Sequence, residues 1–187
     1  MKDNEGMRII IALLMGIFVI AAVVISTLDI KATEANVIDR SIGKTLKWED
    51  TKKAAKYSDY GVGTLMVAPY IYAASKKEDR VKRLSTVAIV QAFNYSLTGY
   101  IKRVVKRERP NKENNHSFWS GHSSNAMTGA SLICAMNKAS CIPAFALAGA
   151  TGYFRLAAGK HHASDVIVGL GVGYMAGSYV PQLVISF

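Results

Sequence analysis

His161 and Asp165 form the clearest chemical pattern in this chain. They are four residues apart, about one helical turn, so the carboxylate can hold one imidazole nitrogen and leave the other free to attack. Such a histidine can act as a nucleophile, and the carboxylate steadies the positive ring that forms when it takes up a phosphoryl group. Arg155, six residues before His161, can stabilise negative charge on oxygen. The segment predicts phosphate chemistry, although an isolated His–Asp pair is more often structural.

Ser120, Gly121 and His122 have the composition of a helix start. The Ser120 hydroxyl can accept from free amides of the first turn, and Gly121 lets the main chain approach a ligand closely. Helix N-termini bind phosphate, and a histidine at such a place can give a proton to a leaving oxygen. A plain helix cap with an incidental histidine explains these three residues equally well.

A third cluster is basic. Lys102, Lys106 and Arg109 lie at helical spacing, and Pro110 is expected to end their helix. A guanidinium can hold two phosphate oxygens while an ammonium acts as a point charge. Taken alone, the cluster is no more than the basic end of a helix.

The three clusters together are far more specific than each one. The order K-x6-R-P, then S-G-H, then R-x5-H-x3-D, between Lys102 and Asp165, resembles the type-2 phosphatidic acid phosphatase superfamily. That superfamily includes membrane lipid phosphatases, secreted bacterial acid phosphatases and vanadium haloperoxidases. The resemblance covers about the C-terminal half of the chain. It implies an all-helical fold and a phosphohistidine mechanism without a metal or other cofactor.

The resemblance also implies a role for each matching residue. His161 corresponds to the nucleophile, Asp165 to its orienting partner and His122 to the general acid. The phosphate-binding residues it implies are Lys102, Arg109, Ser120, Gly121 and Arg155. Because His161 must be neutral and His122 protonated, their environments must differ, and we expect a bell-shaped dependence of activity on pH.

Two positions depart from the family pattern. Trp119 stands where proline usually precedes Ser-Gly-His, and Phe154 stands where serine usually precedes the arginine. Trp119 is expected to change the rigidity of the loop or to offer an apolar wall to the substrate. Phe154 removes a hydrogen-bonding group near the phosphate site.

Composition restricts the possible partners. The chain has 187 residues, of which 50% are hydrophobic and 19% are charged, and its net charge is +10. That charge suits nucleic acid, an anionic membrane surface or a phosphorylated substrate. The basic clusters lack interleaved aromatic residues, which argues against nucleic acid.

Uncharged stretches rich in small residues indicate packed membrane helices. They are residues 9–26, 60–75, 84–101, 122–137, 139–154 and 166–187. We predict one all-α domain over residues 1–187, a helical bundle with six transmembrane helices. Residues 33–57 form an amphipathic surface segment, and residues 60–187 form the phosphatase core.

Charge placement predicts the orientation of the bundle. With a cytoplasmic N-terminus, the five cations of residues 76–83 lie inside, as cytoplasmic loops favour. All three motif clusters then lie on the outer side. We predict a multi-pass protein of a bacterial inner membrane with its site facing the periplasm.

A soluble arrangement is the main alternative. Residues 9–26 would then be a cleaved signal sequence, and the remainder a secreted helical domain, which the modest mean hydropathy of +0.17 accommodates.

The two cysteines and the other two histidines carry weaker signals. Cys134 and Cys141 are expected to be small buried residues, with a disulfide as the alternative if their loop faces an oxidising compartment. His162 is expected to make surface or headgroup contacts, and His116 lies in a loop. No metal-binding motif accompanies them.

The sequence therefore predicts a phosphatase acting on a membrane lipid phosphate or diphosphate. Candidate substrates are undecaprenyl diphosphate, phosphatidylglycerol phosphate, phosphatidic acid and lipid A phosphate. The alternatives are a secreted acid phosphatase of broad specificity and a membrane protein that binds anionic headgroups without turnover. A vanadium haloperoxidase ranks last because those chains are generally much larger.

Overall fold

The protein is a bundle of α-helices. The computed structural model describes residues 37–184, so the predicted first span at residues 9–26 lies outside the described residues. The helices are α1 (Val37–Leu46), α2 (Thr51–Ser75), α3 (Arg80–Val105), α4 (Gly121–Met136), α5 (Cys141–Ala157) and α6 (Ala163–Val184). A short 3-10 turn, Lys138–Ser140, joins α4 to α5. Since this part of the chain contains no strand, the predicted all-α fold is confirmed.

The helix boundaries follow local signals in the sequence. The Asp50 carboxylate accepts a hydrogen bond of 2.8 Å from the Lys53 amide at the start of α2. Ser120 caps α4, as its position before Gly121 predicted. α3, in contrast, ends at Val105, earlier than the stop expected at Pro110, and Lys106 is in the left-handed conformation. Lys106 and Arg109 therefore do not share a helical face with Lys102.

Helix α4 lies at the centre of the bundle and contacts α2, α3, α5 and α6. Its buried face is made of small side chains such as Ala126 and Ala130, which pack against Leu65 of α2 and Ala148 of α5. Within residues 37–184, none of the helices combines the length and apolar character that crossing a membrane requires.

Polar side chains connect the helices inside the bundle. Asn94 of α3 donates to the Asn125 side chain of α4 at 2.6 Å and accepts from the Ser124 hydroxyl at 2.8 Å. Thr128 of α4 donates to the carbonyl of Gly173 on α6 at 3.2 Å. Because these groups are buried, their mutual hydrogen bonds offset the cost of removing them from water.

Three glycines of α6 allow it to approach α4 closely. Gly169, Gly173 and Gly177 recur every four residues and face the carbonyls of Ser120, Ser124 and Thr128 respectively. A Cβ atom on Gly173 would lie 2.2 Å from the Ser124 oxygen. No larger residue fits without moving a helix, so this row of glycines sets the distance between α4 and α6.

A disulfide joins Cys134 at the end of α4 to Cys141 at the start of α5, with 4.4 Å between their Cα atoms. The expectation that both cysteines are simply small buried residues is therefore wrong. The 3-10 turn between them reverses the chain and brings the two helix ends together. Tyr72 of α2 donates to the Met136 carbonyl at 3.1 Å, so this end of the bundle also holds the end of α2.

We expect Gly173→Ala to destabilise the protein by about 1–3 kcal/mol, because the added methyl overpacks the α4–α6 contact. Thermal unfolding in detergent measures the effect. Gly149→Ala is the matched control, since a Cβ there meets nothing within 4 Å and alanine favours a helix. Equal melting temperatures for the two variants would contradict the proposed close contact.

Candidate active site

The predicted nucleophile, His161, lies in the connection between α5 and α6 and is buried. Its Nδ1 atom is 2.7 Å from the carbonyl oxygen of Ser117. A carbonyl can only accept, so Nδ1 carries the proton and Nε2 carries the lone pair. The ring is thereby held in the tautomer that a nucleophilic histidine needs.

Asp165 is close to His161, but its contact with the ring differs from the sequence expectation. The distance from Nδ1 to the nearer carboxylate oxygen, Oδ2, is 3.9 Å, too long for a hydrogen bond. Oδ2 instead accepts from the Ser117 hydroxyl at 2.5 Å and from the His162 amide at 3.0 Å. The reason is that α6 begins at Ala163, so His161 and Asp165 do not share a helix.

Ser117 therefore connects the nucleophile to the carboxylate, a role that the sequence did not indicate. Its carbonyl accepts from His161, and its hydroxyl donates to Asp165. Its amide donates to the Arg107 carbonyl at 2.9 Å, so all of its polar groups are used. The residue is fully buried, which favours this single arrangement.

Arg107 and Asp39 complete the support of Asp165. The Arg107 guanidinium donates to Asp165 Oδ1 at 2.7 Å and to Asp39 Oδ2 at 2.8 Å. Asp39 also accepts from the amide and hydroxyl of Ser164 at the start of α6. Helix α1 is thus docked onto the site through one buried carboxylate. Neither residue belongs to the motifs, so only the fold shows their function.

The charges around this network set the protonation states. Burial is the main cause that lowers the pKa of His161 to about 3, although the neighbouring Asp165 raises it in part. His161 is therefore neutral at pH 7 and remains so in mild acid. Burial opposes ionisation of Asp165, but the His161 ring, the Arg107 guanidinium and the Ser117 hydroxyl outweigh it and hold the pKa of Asp165 below its ordinary value.

His122, the predicted general acid, stands in the first turn of α4. Its Nε2 atom is 2.8 Å from the Asp59 carboxylate on α2. Asp59 also lies 3.8 Å from the guanidinium of Arg155. No motif contains Asp59, and an exposed carboxylate between Ser58 and Tyr60 has no signal in the sequence that would single it out.

The predicted phosphate-binding residues converge from four segments. Gly121 at the start of α4 faces Lys102 of α3, whose Cε would lie 3.7 Å from a Cβ atom on the glycine. Lys102 is near enough to Arg109 and Arg155 for the three positive charges to repel one another. Ser120 is buried and accepts from the Ser123 amide. These contacts leave a cluster of like charges that an anion would stabilise.

Two arginines in this cluster keep an unsatisfied donor. The Nε atoms of Arg109 and Arg155 are buried, and neither has a hydrogen-bond partner among the described residues. Arg155 otherwise donates to the Ser58 hydroxyl at 3.2 Å. Because buried donors are costly when unpaired, both atoms indicate a place for the oxygens of a ligand.

The two departures from the family pattern are explained by packing. Trp119 is fully buried among Ile101, Val105 and Val172, and its indole donates to the Thr98 hydroxyl at 3.0 Å. It therefore anchors the loop and does not form a wall of the site. Phe154 packs with aromatic rings, which are Trp48, Tyr57 and Tyr153.

The other two histidines make backbone contacts. His162 Nε2 lies 3.1 Å from the Glu108 carbonyl, and the His116 carbonyl accepts from Lys102 at 2.7 Å. Among residues 37–184, His, Cys, Asp and Glu side chains form no group of three or more that could hold a metal ion. The metal-independent mechanism remains a prediction.

Fold and side-chain geometry together define an all-helical protein with a buried histidine beside a cluster of cationic side chains. The model of the PAP2 superfamily matches residues 82–185, more than half of the chain, and the chain belongs to this superfamily. The match includes every predicted site residue. Family membership supports phosphatase activity.

One solved structure similar to this chain is described as the first transmembrane PAP2-type phosphatidylglycerolphosphate phosphatase from Bacillus subtilis. The two share 20% sequence identity and a TM-score of 0.66, over 87% of this chain and 93% of that one. At this identity the similarity shows the fold. No curated protein matches the chain significantly.

We expect Arg107→Met to destabilise the protein by about 3–5 kcal/mol, because it leaves the buried Asp39 and Asp165 without a counter-ion. Thermal unfolding measures the loss. Arg103→Met, at an exposed position near the end of α3, is the control. Adding Asp39→Asn to Arg107→Met should recover part of the stability, and no recovery would contradict the ion-pair explanation.

Proposed function

We propose that the protein hydrolyses a membrane lipid phosphate or diphosphate through a phosphohistidine on His161. The observation that carries the proposal is the ring of His161, which is buried, neutral and held by its Nδ1 atom at the centre of a cationic cluster. This arrangement suits nucleophilic attack on phosphorus, since the nearby cations stabilise the charge on the phosphoryl oxygens.

The reaction has two steps. In the first, His161 Nε2 forms a bond to phosphorus while the bond to the lipid oxygen breaks, and His122 gives its proton to that oxygen. In the second, water attacks phosphorus and loses a proton to His122, the nitrogen–phosphorus bond breaks, and phosphate leaves. Asp165 stabilises the charged ring of the intermediate from 3.9 Å and through Ser117. Lys102, Arg109 and Arg155 hold the phosphoryl oxygens.

Asp59 has a defined part in this scheme. Because His122 Nε2 is bound to Asp59, the other nitrogen, Nδ1, is the one that donates to the leaving oxygen. The carboxylate also stabilises the protonated ring. Asp59 is therefore a positioning residue, which acts on the substrate through His122.

The outer surface of the bundle supports action at a membrane. Large apolar side chains point outward from four helices, and they are Val67, Ile71, Ile89, Phe93, Tyr95, Tyr100, Ile142, Ile167 and Tyr174. The polar side chains of the same bundle, such as Asn94 and Thr128, are buried. An apolar exterior around a polar interior suits a lipid environment. The similar phosphatase from Bacillus subtilis is likewise described as a transmembrane protein.

We expect the two histidines to respond differently to the leaving group. His161→Ala should abolish hydrolysis of both phosphatidic acid and p-nitrophenyl phosphate, because the nucleophile is gone. His122→Ala should slow the first step by about 100-fold or more for phosphatidic acid, and much less for p-nitrophenyl phosphate, whose leaving group needs no proton. Single-turnover assays in detergent measure this step, since His122 also accepts a proton in the second step with either substrate. Retained activity in His161→Ala would contradict the mechanism.

For Asp59, we expect Asp59→Asn to lower kcat on phosphatidic acid by about tenfold, since the protonated form of His122 loses its carboxylate. The basic limb of the pH profile should move to lower pH. Asp59→Glu should restore part of the activity, and the first step with p-nitrophenyl phosphate, measured in a single turnover, should proceed almost as before. Equal losses on both substrates would indicate a merely structural role.

Two features of the chain favour opposite orientations of the site. The basic residues 76–83 favour a cytoplasmic location for the end of the bundle opposite the site, and this places the site outside. The disulfide lies at that same opposite end, and disulfides persist in oxidising compartments.

If the site faces outward, Cys134 and Cys141 should be reduced in cells and inaccessible to a membrane-impermeant maleimide until the cells are lysed. A cysteine introduced in place of exposed Asn115, in a variant lacking Cys134 and Cys141, should be labelled in intact cells. The reverse labelling pattern would show that the site faces the cytoplasm.

A further inference from the structure

A cavity of about 400 Å³ opens beside His161. It lies between helix α1, the loop of residues 108–112 and the connection from α5 to α6. Its size is within the range of pockets for small ligands. The proposed reaction uses only one edge of it.

The walls of this cavity are strongly basic. Lys44 and Lys47 of the α1 segment face it together with Arg109 and Lys112 of the loop. Lys44 lies in the last turn of α1 and Lys47 directly follows the helix, and both side chains line the cavity. Of the acidic residues in the wall, Asp39 is already neutralised by Arg107, and Glu108 is exposed. The cavity therefore favours an anionic ligand.

The cavity adjoins the proposed reaction centre. His161 and Arg109 belong to both, whereas Lys102, His122 and Arg155 do not line the cavity. The buried Nε atom of Arg109 has no partner in the described part of the chain, and its Nη1 atom is 3.6 Å from Glu113. That loose ion pair is one that a phosphate can replace.

The contacts of α1 fix the position of Lys44 and Lys47. Asp39, on the same helix, is bound to Arg107 and Ser164, so α1 is fixed relative to α6 and to His161. A charge pattern on a fixed helix can select a ligand by the spacing of its anionic groups.

We infer that this cavity binds a second phosphate group of the substrate, so that lipids with two phosphate groups are preferred over lipids with one. The inference rests on the proposed lipid phosphatase function. The second group can be joined directly to the first, as in a lipid diphosphate, or through glycerol, as in phosphatidylglycerol phosphate. In either case the terminal phosphate reacts at His161, and the inner phosphate lies against Lys44 and Lys47.

Binding of soluble anions tests the inference without turnover. Calorimetry on the full-length protein in detergent compares methylenediphosphonate with orthophosphate, for the wild type, for Lys44→Gln/Lys47→Gln and for Lys52→Gln/Lys53→Gln. The last pair is the matched control, because both lysines are exposed on the neighbouring α2 and outside the cavity.

We expect the wild type to bind methylenediphosphonate about tenfold more tightly than orthophosphate. Lys44→Gln/Lys47→Gln should reduce this ratio about tenfold through the loss of two charge contacts, and the control should not change it. Equal wild-type affinities for the two anions would overturn the inference for directly joined phosphates, and the same reduction in the control would overturn the role of Lys44 and Lys47.

Turnover separates this inference from the proposed function. Hydrolysis of phosphatidic acid that disappears in His161→Ala establishes the phosphatase. The values of kcat/KM for a polyprenyl diphosphate and for phosphatidylglycerol phosphate are then each compared with the value for phosphatidic acid. These two ratios measure how strongly the cavity favours a second phosphate group. A tenfold fall of either ratio in Lys44→Gln/Lys47→Gln supports the inference and identifies the linkage, and unchanged ratios overturn it while leaving the phosphatase intact.

Discussion

The close contact between α4 and α6 is the constraint on which the rest of the structure depends. Glycines on α6 meet main-chain carbonyls on α4, so backbone packs on backbone. At the end of this contact nearest the starts of both helices, Gly169 lies against Ser120, and the Ser120 amide donates to the Asp165 carbonyl at 3.0 Å. The start of each helix carries one part of the site. Their contact therefore places the proposed phosphate-binding turn beside the residues that support the proposed nucleophile.

A second layer of polar contacts fixes the side chains of the candidate site. Asp165 is buried, and Arg107 balances its charge. Ser117 connects Asp165 to His161 through hydrogen bonds to both residues. A buried carboxylate is costly unless its oxygens are satisfied, and here two side chains and one amide satisfy them. The same arginine binds Asp39, so the residue that balances the charge of buried Asp165 also fixes helix α1. Stability and site geometry thus have a common origin.

Part of the geometry of the candidate site could be predicted because several motif residues lie at helix ends. Ser120 caps α4, and His122 follows it in the first turn, as their order suggested. The sequence predicted a direct hydrogen bond between Asp165 and His161, and the structure does not contain it. Four-residue spacing brings two side chains together only when both belong to one helix, and these two residues do not share one. The cysteines illustrate the same limit, because their pairing depends on a turn of three residues between two helices.

The sequence by itself determined the all-helical class and the family, and it predicted the groups that are proposed to attack, to donate a proton and to hold phosphate. These depend on residue type and on spacing along one segment, both of which are local. The tertiary structure alone decided the contacts of those groups, in which Asp59 binds His122, Ser117 binds His161, and Arg107 binds both Asp165 and Asp39. These contacts join residues as far apart in the chain as Asp39 and Arg107. The physical reason is that burial and hydrogen bonding act over distances in space, which no spacing along the chain records.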